Sequence, residues 1–426
     1  MRISTIQAFN TGVQGVQDNY SKVTRTQEQV SSGKRILSPA DDPVGSVRLL
    51  QLGQQANKLD QYDANLKAAT NSLTQEEATI NSINNVMQRV REIALQAGNG
   101  ALDQGAREAL GQELVEREEE LLGLFNSQNA RGEYLFGGFQ SQTPPFVKGS
   151  DGTYTYEGDE GQRSIDIAGS KQVAINDNGK KLFVDVPNVN RVITDEVLGN
   201  AGNARISAGV VEDKARYDGS SLYDPADPNE TPFYPNDSVT IRIGTDGTEY
   251  EILDQDGNPF APEVTGDIEP NEDQSYQIRF GGVVVTLDGA LTEDDEFKIT
   301  RAPTEEKRSI LQTVADLRET LENTDDSREG KLERRDQLAI AVQNLDNGMN
   351  QVLSVQTSIG ARLNVIDSTL DENSEVKLIN QGMTAELAEL DYAEALSRLS
   401  FETVVLQAAQ QSFVKVSGLS LFNLLR

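Results

Sequence analysis

Two stripes of apolar residues at three-and-four spacing, one at each end of the chain, limit what this sequence can fold into. Near the start the stripe runs Ile6, Phe9, Val13, Val16, Tyr20, Val23, Gln27 and Val30. Near the end it runs Leu378, Gln381, Ala385, Ala388, Tyr392, Ala395, Leu399, Glu402, Leu406, Ala409, Phe413 and Val416. Such spacing puts each set on one side of an α-helix. Seams at both ends, with none in the middle, predict that the ends pack on each other and on further copies. That favours assembly over catalysis. The candidate interface residues are Ile6, Phe9, Val13, Val16, Tyr20, Val23, Val30, Tyr392, Leu399, Leu406, Phe413 and Leu421.

Composition removes most chemistry. The 426 residues contain no Cys, no His and no Trp, and carry a formal charge of −30. Without Cys there are no disulfides, thiolate nucleophiles or Cys-ligated metals. Without His the commonest general base and metal ligand are gone, and with them serine–histidine, cysteine–histidine and HExxH chemistry. Only carboxylate catalysis stays open. No cofactor and no metal are expected. The acidity argues against nucleic acid as a partner. No stretch has the roughly 18–20 apolar residues of a membrane span, so no membrane partner is expected. The opening MRISTIQAFNTGVQG lacks the apolar core of a signal peptide. The charge is concentrated in the middle: residues 146–302 hold 13 basic and 31 acidic residues, a net −18.

Helix 1 is predicted over 4–32, with Gly12, Gly15 and many Thr, Ser and Val lowering its propensity, so it needs partners to form. Asp42 and Pro43 open helix 2, which runs to Ala97 along Leu52, Leu59, Tyr62, Leu66, Ala69, Leu73, Ile80, Ile83, Met87, Val90, Ala94 and Ala97, interrupted by Gln55 and Glu76. Helix 3 follows at 103–129. Tyr134–Phe139 reads as strand and turn. Hairpins are predicted at Asp246-Gly247 and Gly281-Gly282, and further strands at TYTYE, SIDIA, KLFVDV and EFKIT. Residues 218–237 and 254–275 read as loops. Helix returns at Thr304. A seam over 329–370 stops at Asp371–Ser374, and a last helix runs to about Val416.

The predicted class is α+β: a long-helix bundle or coiled coil built from both chain ends, with an inserted mostly-β domain. Residues 1–40 and 376–426 are the terminal helices, without order in the monomer. Residues 41–145 and 303–375 are the bundle, with a short β-hairpin. Residues 146–302 are the acidic β domain.

Other motifs read as structure. Asp254–Asn258 has the opening of a calcium loop, but the twelfth position is Thr265 and no helices flank it, so it reads as a turn. Glu293–Glu296 reads as a solvated acidic loop, and Glu116–Glu120 as a helix face in water. Gly137-Gly138 and Gly281-Gly282 do not fit a phosphate loop. Tyr20 and Tyr392 read as packing residues.

The opening MRIST with Phe9, the stretch Val30–Ile36, Pro39–Gly45 and the tail Leu419–Leu425 resemble the signatures of bacterial flagellins and their relatives. The resemblance covers about 1–145 and 303–426. The MRIST opening, Pro43 and Glu133–Gly138 favour a member at the hook–filament junction over the filament subunit. The resemblance implies an axial structural subunit, not an enzyme. It implies self-association into a ring, with a hook-side junction protein and flagellin as neighbours and a flagellar export chaperone as escort. It implies secretion through the flagellar type III apparatus without signal cleavage. The alternatives are flagellin itself, a secreted coiled-coil adhesin, and a carboxylate-pair hydrolase in the β domain.

Overall fold

The computed structural model describes residues 5–424, except 101, 198–199, 202, 220–237, 269–274 and 303–305. The helices are α1 (Thr5–Ser32), α2 (Pro43–Ala97), α3 (Gln104–Phe125), α4 (Lys214–Tyr217), α5 (Ile310–Asn323), α6 (Arg328–Ala388) and α7 (Tyr392–Leu424). The chain divides into two units. One comprises residues 1–67, 166–172 and 365–426, the other residues 68–165 and 173–364.

Helix α2 is 55 residues long, roughly 80 Å at 1.5 Å per residue. The apolar residues of its predicted seam, from Leu52 through Ala97, are buried apart from the half-buried Tyr62. Asp103 caps α3 by accepting the Ala106 N–H at 2.8 Å. Ser309 caps α5 by accepting from Gln312 N–H, so the helix opens at Ile310 instead of Thr304, which lies outside the described residues.

The strands are β1 (Phe146–Lys148), β2 (Tyr154–Tyr156), β3 (Ser164–Ala168), β4 (Lys171–Ala174), β5 (Val192–Glu196), β6 (Arg205–Ile206), β7 (Val210–Val211), β8 (Ser238–Ile243), β9 (Glu249–Leu253), β10 (Pro259–Asp267), β11 (Ser275–Phe280), β12 (Val283–Asp288) and β13 (Glu296–Arg301). Strands β1 and β2 pair, as do β3 and β4. A five-stranded sheet has the order β10-β9-β8-β13-β5, and a second has the order β11-β12-β6 with β7 also on β12. Alternation on β8 and β12 sends Val239, Ile241 and Ile243, and Val283, Val285 and Leu287, into one shared core. Both predicted hairpins form. At the second, Gly282 has φ +84, and a Cβ there would lie 2.2 Å from the Asp213 carbonyl oxygen.

Several expectations are overturned. KLFVDV is a single wide helical turn over Lys180–Val184, closed by the Asp185 N–H donating to the Lys180 carbonyl at 2.8 Å, and it buries Leu182 and Phe183. Phe183 stacks on Phe125 of α3 with ring centroids 3.9 Å apart. Residues 259–267 are a strand, not a loop, since they continue the sheet on β9. Tyr134–Phe139 is mostly turn: Leu135 and Phe136 are both buried, and Gly138 takes φ +69 against Asp159. Helix α6 does not stop at Asp371–Ser374. Asn373 is buried there and donates to the Ile167 carbonyl at 3.4 Å, so a polar residue continues the inward face.

Glu118 does not face water. It is 1% exposed and accepts from Lys148 Nζ at 2.7 Å, Arg318 Nε at 3.0 Å and the Tyr154 hydroxyl. Burial pushes its carboxyl up, but these hydrogen bonds outweigh burial and leave it below the ordinary value of 4.5. Glu118→Ala should therefore cost about 1–3 kcal/mol, because three hydrogen bonds to a buried carboxylate are lost while Lys148 reaches water and Arg318 keeps Glu322. In the wild type, a group depressed on folding stabilises above its unfolded pKa. This contribution is lost as pH falls below about 4.5. Urea unfolding at pH 7 and pH 3 checks both: the variant's deficit should shrink in acid.

Candidate assembly interface

Within the first unit, α1 and α7 run antiparallel. Phe9 meets Phe413 with ring centroids 5.2 Å apart, Thr26 Oγ1 donates to Glu402 Oε2 at 2.7 Å, and Arg398 donates to Gln29 Oε1 at 3.0 Å. The two terminal seams therefore meet each other inside one chain. Gly12 belongs to this contact: a Cβ there would fall 2.9 Å from the Phe413 ring. What reads in the sequence as a helix-weakening glycine is a close-approach residue.

The contact is thin. Val13, Val16, Val23, Val30, Leu399 and Phe413 are half-buried, Leu406 is buried at 9% exposure, and Phe9 and Tyr392 stay exposed. Tyr20 is 63% exposed and Gln27 is exposed, so neither packs. Half-buried Asn19 and buried Thr26 take those places. The side chains of Ile6 and Leu421 lie outside the described residues.

The end of α6 shows a second substitution of polar for apolar. Its inward residues are Thr369, Asn373 and Asn380, all buried. Asn380 Nδ2 donates to the Leu52 carbonyl at 3.0 Å and Thr369 Oγ1 to the Val365 carbonyl at 2.8 Å. Leu378 and Gln381, read as seam positions, therefore point outward. Leu378 and Ile379 join Val44, Val47 and Leu50 of α2 as exposed apolar side chains.

On α7 the uncovered set is Leu396, Phe401, Val404 and Val414, with Phe401 70% and Val404 64% exposed. At 100° per residue these lie about 80–220° around the helix from Leu406. The sequence signal for them was available: α7 carries apolar residues outside its heptad positions. A search for the single best stripe discards them.

Where α1 ends, the chain turns a braced corner. Gly33 takes φ +68, with the Tyr392 hydroxyl 2.9 Å from where a Cβ would sit. Leu390 N–H donates to the Gly33 carbonyl at 3.0 Å and Arg35 N–H to the Ala388 carbonyl at 2.8 Å, so the α1 exit and the α6–α7 break are pinned together. Asp41 accepts from the Leu37 and Ser38 N–H groups, which hold its carboxyl below the usual range, and pairs with Arg25 at 2.8 Å. Asp42 accepts the Gly45 N–H at 2.9 Å and starts α2. The motif residues Gly33, Arg35, Asp41, Asp42 and Gly45 thus share one task, setting this corner.

Among the described residues no group of three or more carboxylates is placed to hold a metal ion, and no helix is long and apolar enough to cross a membrane. At Asp254–Asn258 the Asp254 carboxylate accepts from Asp256 and Asn258 N–H groups, closing a turn. In the acidic run, buried Asp295 caps its own loop by accepting from Thr292 and Ala201 N–H groups.

The bacterial flagellin N-terminal helical region family matches residues 3–141. Flagellar hook-associated protein 3 of Escherichia coli (strain K12) is 22% identical over 424 residues, covering 100% of this chain and 99% of the relative. Polar flagellin F of Vibrio parahaemolyticus is 32% identical over 116 residues, 27% of this chain and 31% of the relative. Among solved structures, hook-associated protein 3 from Legionella pneumophila is similar with a TM-score of 0.64 at 26% identity, covering 79% of this chain and 98% of that one.

Proposed function

We propose that this chain belongs to the bacterial flagellin family and is a structural subunit of the bacterial flagellum at the junction between hook and filament. Similarity to hook-associated protein 3 of Escherichia coli spans the whole chain, whereas the matches to flagellins span from 27% to 45% of it. In this reading the chain is not an enzyme. The first and last segments, 1–40 and 376–426, pack coaxially with those of neighbouring copies into a ring. Residues 41–145 and 303–375 surround them, and the acidic residues 146–302 face outward. A hook-side junction protein and flagellin are the axial neighbours, an export chaperone escorts the chain, and the mature location is extracellular. Filament growth and motility depend on it.

The observation that carries this reading is the row of uncovered apolar side chains on α7. Burying apolar surface yields about 25 cal/mol per Å², so side chains such as Phe401 and Val404 favour a neighbour. The α1–α7 contact is correspondingly thin. The pair gains much of its stability from adjacent copies, and folding of the ends is coupled to assembly.

Immunogold labelling of isolated hook–filament complexes tests the assignment. Label confined to a narrow band at the distal edge of the hook is expected. Label along the whole filament, with the chain as the dominant band of sheared flagella, would instead identify a filament subunit.

A further inference from the structure

Glu76 interrupts the apolar seam of α2, and its surroundings give it no fixed cation. It is 1% exposed, between fully buried Leu73 and Ile80 on the same helix. Its Oε1 accepts the Asp177 N–H at 2.9 Å, while Oε2 is buried without a hydrogen-bond partner. The facing charges are already matched elsewhere. Asp177 pairs with Arg362 of α6 at 2.5 Å and also accepts from Gln162 Nε2 at 2.9 Å. Arg163 pairs with Glu133 at 3.3 Å. An ionised Glu76 would make two carboxylates share one guanidinium in a dry site. Burial, and then the neighbouring Asp177 carboxylate, push the Glu76 carboxyl up to about 8, against the Asp177 N–H, Arg362 and Arg163.

We propose that Glu76 is a proton-operated latch between α2 and the segment 174–178. Protonated, it stays in the core and holds the Asp177 amide. Ionised, it repels the Asp177 carboxylate, competes for Arg362 and lets the segment lift away. The segment is poised for this. Its other ties lie at its two ends and on Arg163: Ala174 ends β4, which pairs with β3, and accepts from Arg362 at 3.4 Å; Ile175 N–H donates to the Arg163 carbonyl at 2.9 Å and Asn176 Oδ1 accepts the Arg163 N–H at 2.7 Å; Asn178 donates to the Glu160 carbonyl at 3.2 Å and accepts from Lys181 N–H at 2.9 Å and Leu182 N–H at 3.3 Å. Loss of the Glu76 proton strengthens its acceptance of the Asp177 N–H, but it sets two buried carboxylates against one Arg362 guanidinium, so the charged group is driven toward water and this tie is lost as it leaves the core. The latch does not rest on the junction reading, since it operates within one chain.

Hydrogen exchange of the full chain, corrected for the intrinsic pH dependence of exchange, measures the latch directly. Protection of residues 174–178 should fall at least tenfold between pH 6.5 and pH 9 in the wild type and stay constant in Glu76→Gln. Equal protection at both pH values in the wild type, or an equal fall in Glu76→Gln, overturns the proposal. If Glu76→Gln does not fold, Asp177→Asn serves: removing the facing carboxylate should move the transition to lower pH. A transition left in place by Asp177→Asn also overturns it. Carbon-13 spectra of the Glu76 carboxyl give a second reading, and titration in the ordinary glutamate range would contradict the latch.

Discussion

Leu406→Asp should separate α7 from α1 and abolish incorporation into the flagellum, while residues 43–388 keep their helices. Leu406 and Ala395 are the buried apolar side chains of α7 among the described residues. Losing a buried Leu and placing a carboxylate in its site costs about 3–5 kcal/mol. The rest of the α1–α7 contact is half-buried and polar in part, with Thr26–Glu402 and Gln29–Arg398 on its line. A contact this thin has no reserve to absorb such a loss, so the pair should unzip instead of distorting. Limited proteolysis should clip within 5–32 and 392–424 and leave the remainder intact. A variant whose ends resist protease like the wild type, and which still supports motility, would show that this seam is dispensable.

Phe401→Asp combined with Val404→Asp should leave the isolated chain unaffected and still abolish assembly. Both side chains already face solvent, where substitutions change stability by about 0.5 kcal/mol or less. In a ring they would be covered, and two unpaired carboxylates in a covered apolar contact cost several kcal/mol at every subunit interface. The helix content and melting temperature of the purified variant should equal those of the wild type, while complementation of a non-motile deletion strain fails. Incorporation at wild-type level would remove the α7 row from the interface. The two variants separate the seam that closes one chain from the row that meets the next.

Much of the helical scaffold was legible because its period is simple. The limits of α2 and the interior positions of Leu66, Leu73, Ile80 and Val90 follow from one heptad pattern bounded by Asp42-Pro43 and Gly98. The two Gly-containing hairpins were legible for the same kind of local reason: positive φ at Gly247 and Gly282 is a backbone demand that few other residues meet. Misreadings fell where burial and polarity part company. Asn373, Asn380, Thr26 and Glu118 are buried polar residues, and a search for apolar stripes passes over all of them. Each is held by a hydrogen bond to a residue distant in sequence, which no local pattern announces. Phe183 failed in the opposite sense. Its apolar neighbours suggested a strand, but the backbone closes a wide turn through the Asp185 N–H and the Lys180 carbonyl and stacks Phe183 on Phe125, a partner distant in sequence.

The sequence alone determined that the ends are long helices with matched seams, that the acidic charge collects in the middle, and that no thiol or imidazole chemistry is available. Those conclusions depend on residue type and spacing, which are properties of the chain before it folds. Only the tertiary structure decided which apolar residues are spent inside one molecule and which remain for another. It sent Leu406 inward and left Phe401 outward, although the two are five positions apart on one helix. That choice is made by the partner helix that covers one side, and a partner is a fact of three-dimensional packing.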